Sequence, residues 1–235
     1  MNNFIKYLIL GLLSVVLLPS AQSQCTVQAS ASALDVLCGD TVKLTAVGSG
    51  VLAFRNNFNC GQVQCPEGTD KSDPNQNFGQ WSNSSTAQFN NPCLPNHPSG
   101  TPHIWFNNAS PAPRVLATQN LPLATGGSIV FDMRFADPDL NGNASPCENP
   151  DAAGEGVHVQ YSVAGGPWTD IVYYSPGNGN DPVRTVWTTY IVEIPQAAWS
   201  NQTKIRWAQL ENSGTLADNL DHWGLDNAEI IANPP

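Results

Sequence analysis

Residues Val157–Tyr174 read VHVQYSVAGGPWTDIVYY. Along Val157–Val163 the side chains alternate, with Val157, Val159, Tyr161 and Val163 on one face and His158, Gln160 and Ser162 on the other. That is the period of a strand with one buried face. Ala164-Gly165-Gly166 turns the chain and Trp168–Tyr174 returns, so the segment predicts an antiparallel hairpin.

The same period recurs outward from it. Ser128–Phe135 sets Ile129, Phe131, Met133 and Phe135 against Val130, Asp132 and Arg134. Thr188–Ile194 aligns Thr188, Tyr190, Val192 and Ile194, and Lys204–Leu210 and Trp223–Ile231 follow after a short helical turn at Gln196–Ser200. Upstream, Thr41–Val47, Val51–Phe54, Thr86–Phe89, Ile104–Phe106 and Arg114–Thr118 read as short strands, and the remainder of Asn56–Asn96 reads as loop. Roughly eight alternating strands in the main body predict an all-β sandwich, each sheet half-exposed on its outer face. Trp168, Trp187, Trp207 and Trp223 fall in or beside these strands and read as core, whereas Trp81 and Trp199 read as loop residues.

Composition narrows the function. The 235 residues carry 19 acidic and 9 basic side chains, a net charge of −10, and only 12% are charged. No basic patch can form that would hold nucleic acid or an anionic membrane surface. Gly and Pro number 19 each and Asn 24, an excess of turn-formers that fits long connections between strands.

Residues 1–23 read as a signal peptide: Lys6 is the positive start, Leu8–Leu18 the apolar run, and Ala21-Gln22-Ser23 the cleavage site. A lipoprotein anchored at Cys25 is the alternative, with a poor Gln22-Ser23-Gln24 lead-in. No other apolar run is long enough to span a membrane as a helix. The chain is thus expected to be secreted or at the cell surface. In that oxidising compartment six cysteines favour three disulfides among 15 possible pairings, and chain order suggests Cys25–Cys38, Cys60–Cys65 and Cys93–Cys147. Zinc is a weaker reading, because no C-x-x-C occurs and His97, His103, His158 and His222 lack ligand spacing. The expected organisation is a signal at 1–23, a short N-terminal β extension resembling an immunoglobulin or PKD fragment at 24–50, the main domain at 51–232, and a linker stub at 233–235.

An ordered set of residues carries a family resemblance. It runs through Cys93, Trp105-Phe106, Arg114 and Thr118 to Gly127-Ser128-Ile129-Val130-Phe131-Asp132 and Phe135. Pro146-Cys147-Glu148, Glu155-Gly156-Val157, Gln160-Tyr161-Ser162, Gly165-Gly166 and Trp168 follow, then Ile205-Arg206-Trp207 and Trp223-Gly224-Leu225-Asp226-Asn227. This set resembles a reelin-type subrepeat as found in exported bacterial multidomain proteins. The resemblance implies a jelly-roll β-sandwich that is not an enzyme, and it supports the pairing of Cys93 with Cys147. Members often carry tandem subrepeats; one copy is visible here.

Two acidic clusters stand out, one at Asp132, Asp137, Asp139, Glu148, Asp151 and Glu155, the other at Glu211, Asp218, Asp221, Asp226 and Glu229. Loop carboxylates can hold a structural Ca²⁺, and Asp132, Glu155 and Asp226 are the expected ligands because they sit in the motif stretches. A solvated acidic surface is the competing reading. The leading functional expectation is a non-catalytic adhesion or interaction module facing an extracellular protein or glycan surface. A carbohydrate-binding module comes second, and a fragment of an extracellular hydrolase third. The ligand-binding residues and oligomeric state are not legible in the sequence.

Overall fold

The computed structural model describes residues 28–31, 44–47, 50–68, 73, 76–84, 87–89, 97–106, 113–136, 154–176, 185–210 and 220–235. The signal segment, Cys25, Cys38, Cys93, Cys147 and the acidic residues between 137 and 153 and between 211 and 219 lie outside the described residues. The chain divides into two compact units, residues 1–49 and 50–235. In the first, β1 (Gln28–Ala31) pairs antiparallel with β2 (Leu44–Val47).

The second unit is all-β. Its strands are β3 (Val51–Asn56), β4 (Trp81–Asn83), β5 (Ile104–Phe106), β6 (Arg114–Thr118), β7 (Gly127–Phe135) and β8 (Val157–Val163). Then come β9 (Thr169–Tyr174), β10 (Thr188–Glu193), β11 (Thr203–Gln209) and β12 (Trp223–Ala232), with a 3-10 turn at Gln196–Ala198. One five-stranded sheet runs β10-β7-β12-β3, with β5 also on β12; the other runs β4-β6-β11-β8-β9. All pairs are antiparallel, and the two sheets stack as a jelly-roll sandwich. Among the described residues no helix is long and apolar enough to cross a membrane.

Alternation puts the expected faces inward. Ile129, Phe131, Met133 and Phe135 from β7 meet Val157 and Val159 from β8 and Ile205 and Trp207 from β11 in one core. Aromatic contacts stitch the sheets together: Phe131 lies edge-on to Trp207 at 5.5 Å between ring centres, and Phe54 on β3 edge-on to Trp81 on β4 at 4.6 Å. Trp81 is therefore a core residue on a strand that the Asn- and Ser-rich sequence around it concealed. Of the expected strand at Thr86–Phe89, the described residues 87–89 hold only a bridge between Gln88 and Trp105.

The outer face of the second sheet is not the solvated surface that alternation predicts. Gln160 and Ser162 on β8 are buried. Arg206 donates Nε to Gln160 Oε1 at 2.6 Å, Gln160 donates Nε2 to Asp170 Oδ1 at 2.7 Å, and the Arg206 guanidinium lies 4.2 Å from the centre of the Trp168 ring. Trp168 thus covers a small outer patch with Val115, Ala117 and Ala208 instead of entering the main core. Packing against a cation keeps its ring face occupied.

Two backbone devices matter for the site. Gly127 opens β7 at φ +151°, where a Cβ would lie 2.1 Å from the Ile231 carbonyl oxygen, so only glycine permits this close pairing of β7 and β12. Further along β12, Asp226 pairs with Asp132 and Glu229 with Val130, so Asn227 and Ala228 together face Phe131. This is a β-bulge, with Asn227 at φ +48°. It shifts the parity of β12, so Trp223 and Leu225 point inward before it and Ala228 and Ile230 after it.

Cys60 and Cys65 form a disulfide that closes a loop before β4. By loop-closure entropy a loop this short contributes about 2 kcal/mol. The Cys60→Ser, Cys65→Ser double variant is expected to lose about that much in urea denaturation, with the wild type fully oxidised. Equal midpoints for the two would show that the bridge contributes nothing.

Candidate functional site

The register of β7 and β12 sets Asp132 beside Asp226 on the outer face of the first sheet. Both carboxylates are buried, because residues 97–103 fold over them. His97 Nε2 lies 3.1 Å from Asp132 Oδ2, and its Nδ1 lies 3.6 Å from Asp226 Oδ2. His97 Nδ1 also meets Ser99 Oγ at 2.6 Å. Ser99 Oγ in turn contacts Thr101 Oγ1, which donates to Asp226 Oδ2 at 3.1 Å. Thr189 on β10 donates its hydroxyl to Asp132 Oδ1. Asn227 donates its side-chain amide to Asp132 Oδ2 and its backbone N–H to Asp226 Oδ1, both at 2.8 Å. The bulge places both donors. Trp187 sits between the rings of His97 and His103, edge-on to each at about 5 Å.

Burial pushes Asp226 up to about 7; the Asn227 N–H, His97 and Thr101 pull it down, and the Asp132 charge raises it. Burial, then His97 and Arg134, pushes His103 down to about 4.

Ser99, His97 and Asp132 stand in the order of a nucleophile, a base and its orienter. The geometry argues against that role. Ser99 also donates its own backbone N–H to His97 Nδ1 at 3.3 Å, which makes the pair a local turn two residues long. Thr101 occupies the other side of the serine oxygen. The cluster works as a clamp that ties residues 97–103 to β7 and β12.

Glu155 lies elsewhere. It precedes β8, and its Oε2 accepts the Asp221 backbone N–H at 2.8 Å. Asp221 is five residues before Asp226, an extended distance of roughly 16 Å. Here Arg114, fully buried, donates to Gln209 Oε1 at 2.9 Å and to the Asp221 carbonyl at 3.1 Å. Gln209 Nε2 donates to the carbonyls of Glu155 and Asp221. Burial lowers Arg114 to about 10, against the pull of Glu155 and Asp221.

The structure therefore brings together two of the three expected calcium ligands and sets the third in a different cluster. Asp132 and Asp226 as arranged do not fit a hard cation, which takes six to eight oxygens. Both oxygens of each carboxylate already accept from, or face, an N–H, a hydroxyl or an imidazole. Among the described residues no three His, Cys, Asp or Glu side chains are grouped to hold a metal. The sequence concealed His97, Thr101, Thr189 and Trp187 as members of the cluster, because separate elements deliver them; only Asn227, beside Asp226 in the WGLDN motif, was in view.

A cleft of about 590 Å³ opens in the second unit, away from both charge clusters. Its walls are the start of β3, Phe78–Gln80 ahead of β4, Gln119–Pro122 after β6, Asn201, and the chain end at Ala232, Asn233 and Pro235. Asn233, read from sequence as linker, is tied in by its N–H to the Gly126 carbonyl and its side-chain amide to the Thr125 carbonyl, both at 3.0 Å.

The family model for reelin subrepeat B matches residues 86–230, more than half of the chain. No curated protein matches it. Among solved structures, the chain is similar to CBM51 from Clostridium perfringens GH95 in complex with methyl-galactose, at 7% identity, covering 75% of this chain and 99% of that one, with a TM-score of 0.32. A likeness of that size carries no functional argument.

Proposed function

We propose that this chain, which belongs to the reelin subrepeat B family, is a secreted or cell-surface interaction module that binds and does no chemistry. The observation that carries the reading is the family match across residues 86–230, laid on a sandwich whose polar clusters are spent on holding its own loops. The export signal read at 1–23 supports the location. So does the Cys60–Cys65 disulfide, a bond that oxidising compartments favour. The module is taken as residues 51–232, preceded by the extension at 24–50. Calcium is not part of the proposal for Asp132 and Asp226.

The test expresses the full chain in its own cell type and follows it by fractionation and N-terminal sequencing. A form beginning at Gln24, found outside the cytoplasm and binding saturably to intact cells when immobilised on beads, is the expected result. An unprocessed cytoplasmic chain overturns the reading.

Carbohydrate binding is the second reading, and one observation favours it: the cleft is lined by side-chain amides and apolar residues together. Such a surface suits sugars. A neutral glycan panel discriminates the two. Cell binding with no sugar hit leaves the protein-directed reading alone.

A further inference from the structure

We infer that the cleft between β3, Gln119–Pro122 and the chain end binds a neutral oligosaccharide, an inference that rests on the second reading above and locates it. Charge is the first argument. The lining has one side-chain carboxylate, Glu67, and no Lys, Arg or His, so it offers an anionic ligand no counter-ion. Hydrogen-bonding chemistry is the second. Gln80, Gln119, Asn120 and Asn201 stand on the wall, all exposed. Their amide groups make no side-chain hydrogen bond to the described residues. Each amide carries a donor and an acceptor, as each sugar hydroxyl does. Apolar surface is the third. Val51, Leu52, Phe78 and Pro122, exposed or half-buried, offer an apolar surface to the C–H face of a pyranose, and the volume is in the range of small-ligand sites.

The amides are carried on fixed backbone. Gln119 N–H donates to the Gln80 carbonyl at 2.9 Å and Leu121 N–H to the Thr203 carbonyl at 2.7 Å. Preorganised groups lose less freedom on binding. An extended peptide fits less well. Phe78 already exchanges both backbone hydrogen bonds with Arg55 along the β3 edge, so side chains rather than an open strand edge line that wall.

The experiment titrates the ¹⁵N-labelled full chain with lactose, maltose, cellobiose and N-acetylchitobiose, following the side-chain NH₂ signals. At least one disaccharide is expected to shift the signals of Gln119 and Asn120 saturably. The Gln119→Ala, Asn120→Ala variant, altered only at exposed positions, is expected to bind about tenfold or more weakly, the effect of two lost hydrogen bonds. Ile191→Ser, on the outer face of β10, is expected to leave binding unchanged. Sugar binding that the double variant does not weaken overturns the cleft assignment and leaves the carbohydrate reading standing. Absence of any shift with all four sugars overturns both. Binding of a sialylated or sulfated analogue in place of its neutral parent overturns the neutral-ligand class.

Discussion

Replacing Arg114 with alanine is expected to lower the unfolding free energy by about 3–5 kcal/mol, the usual cost of stranding a buried charge partner. Arg114 opens β6 opposite Gln209 at the end of β11. From there its guanidinium reaches the carbonyls of Leu220 and Asp221 in the run-up to β12. Glu155, just before β8, is buried in the same cluster and carries the charge that Arg114 offsets. One side chain thus fixes the entry to two central strands. Without it, the Glu155 and Asp221 carboxylates face burial with no cation, and the loop carbonyls lose their donor. Arg114→Lys should recover little, since an ammonium cannot span the same set of acceptors. Arg114→Met combined with Glu155→Gln should recover part of the loss by removing both charges. Urea midpoints of the four proteins decide it; a loss below about 1 kcal/mol for Arg114→Ala would mean that the cluster relaxes into water.

Acid is expected to weaken the fold between pH 6.5 and about 3, through His222 and His103. Burial, and for His222 the neighbouring Arg114, holds the two rings neutral down to about 3 and 4. In the unfolded chain both protonate near 6.5. As pH falls below 6.5 the unfolded state takes up protons that the native state refuses, so stability is lost until pH passes the native values. At about 1.4 kcal/mol per pKa unit, each ring accounts for about 3–5 kcal/mol at the acid end as an upper figure. Asp226 works the other way. Its native value near 7 lies above the ordinary 3.8, so the native state binds the extra proton and gains stability as pH falls from about 7 to 4. Two losses against one gain leave a maximum near pH 6.5 and a net fall below it. Denaturation midpoints measured from pH 7 to pH 3 check this, and a flat profile would refute it. His222→Phe should flatten the acid limb, and Arg114→Ala should too, because it removes the cation that disfavours the His222 imidazolium.

The legibility of the fold and of the sites differs for a physical reason. Val157–Val163 matches its strand to the residue, and Ser128–Phe135 and Thr188–Ile194 match theirs to within one, because half-buried strands write their faces into adjacent positions. Trp81 looks like a loop residue in the sequence because a three-residue strand is too short to show a period. Trp168 lies in the outer layer and not the expected core, because alternation tells which residues share a face, not whether the outer face is itself covered.

The all-β class, the main strand faces and the family are legible in the residues alone. All of these depend on near neighbours or on composition. Folding in three dimensions sets Asp132 against Asp226, Glu155 into the Arg114 cluster instead, and Gln80, Gln119, Asn120 and Asn201 around one cleft. Those arrangements depend on strand register across sequence separations of about 40 to 120 residues and on the single extra residue of the β12 bulge. A one-residue change in register moves every side chain to the opposite face, and no local pattern records which register closes.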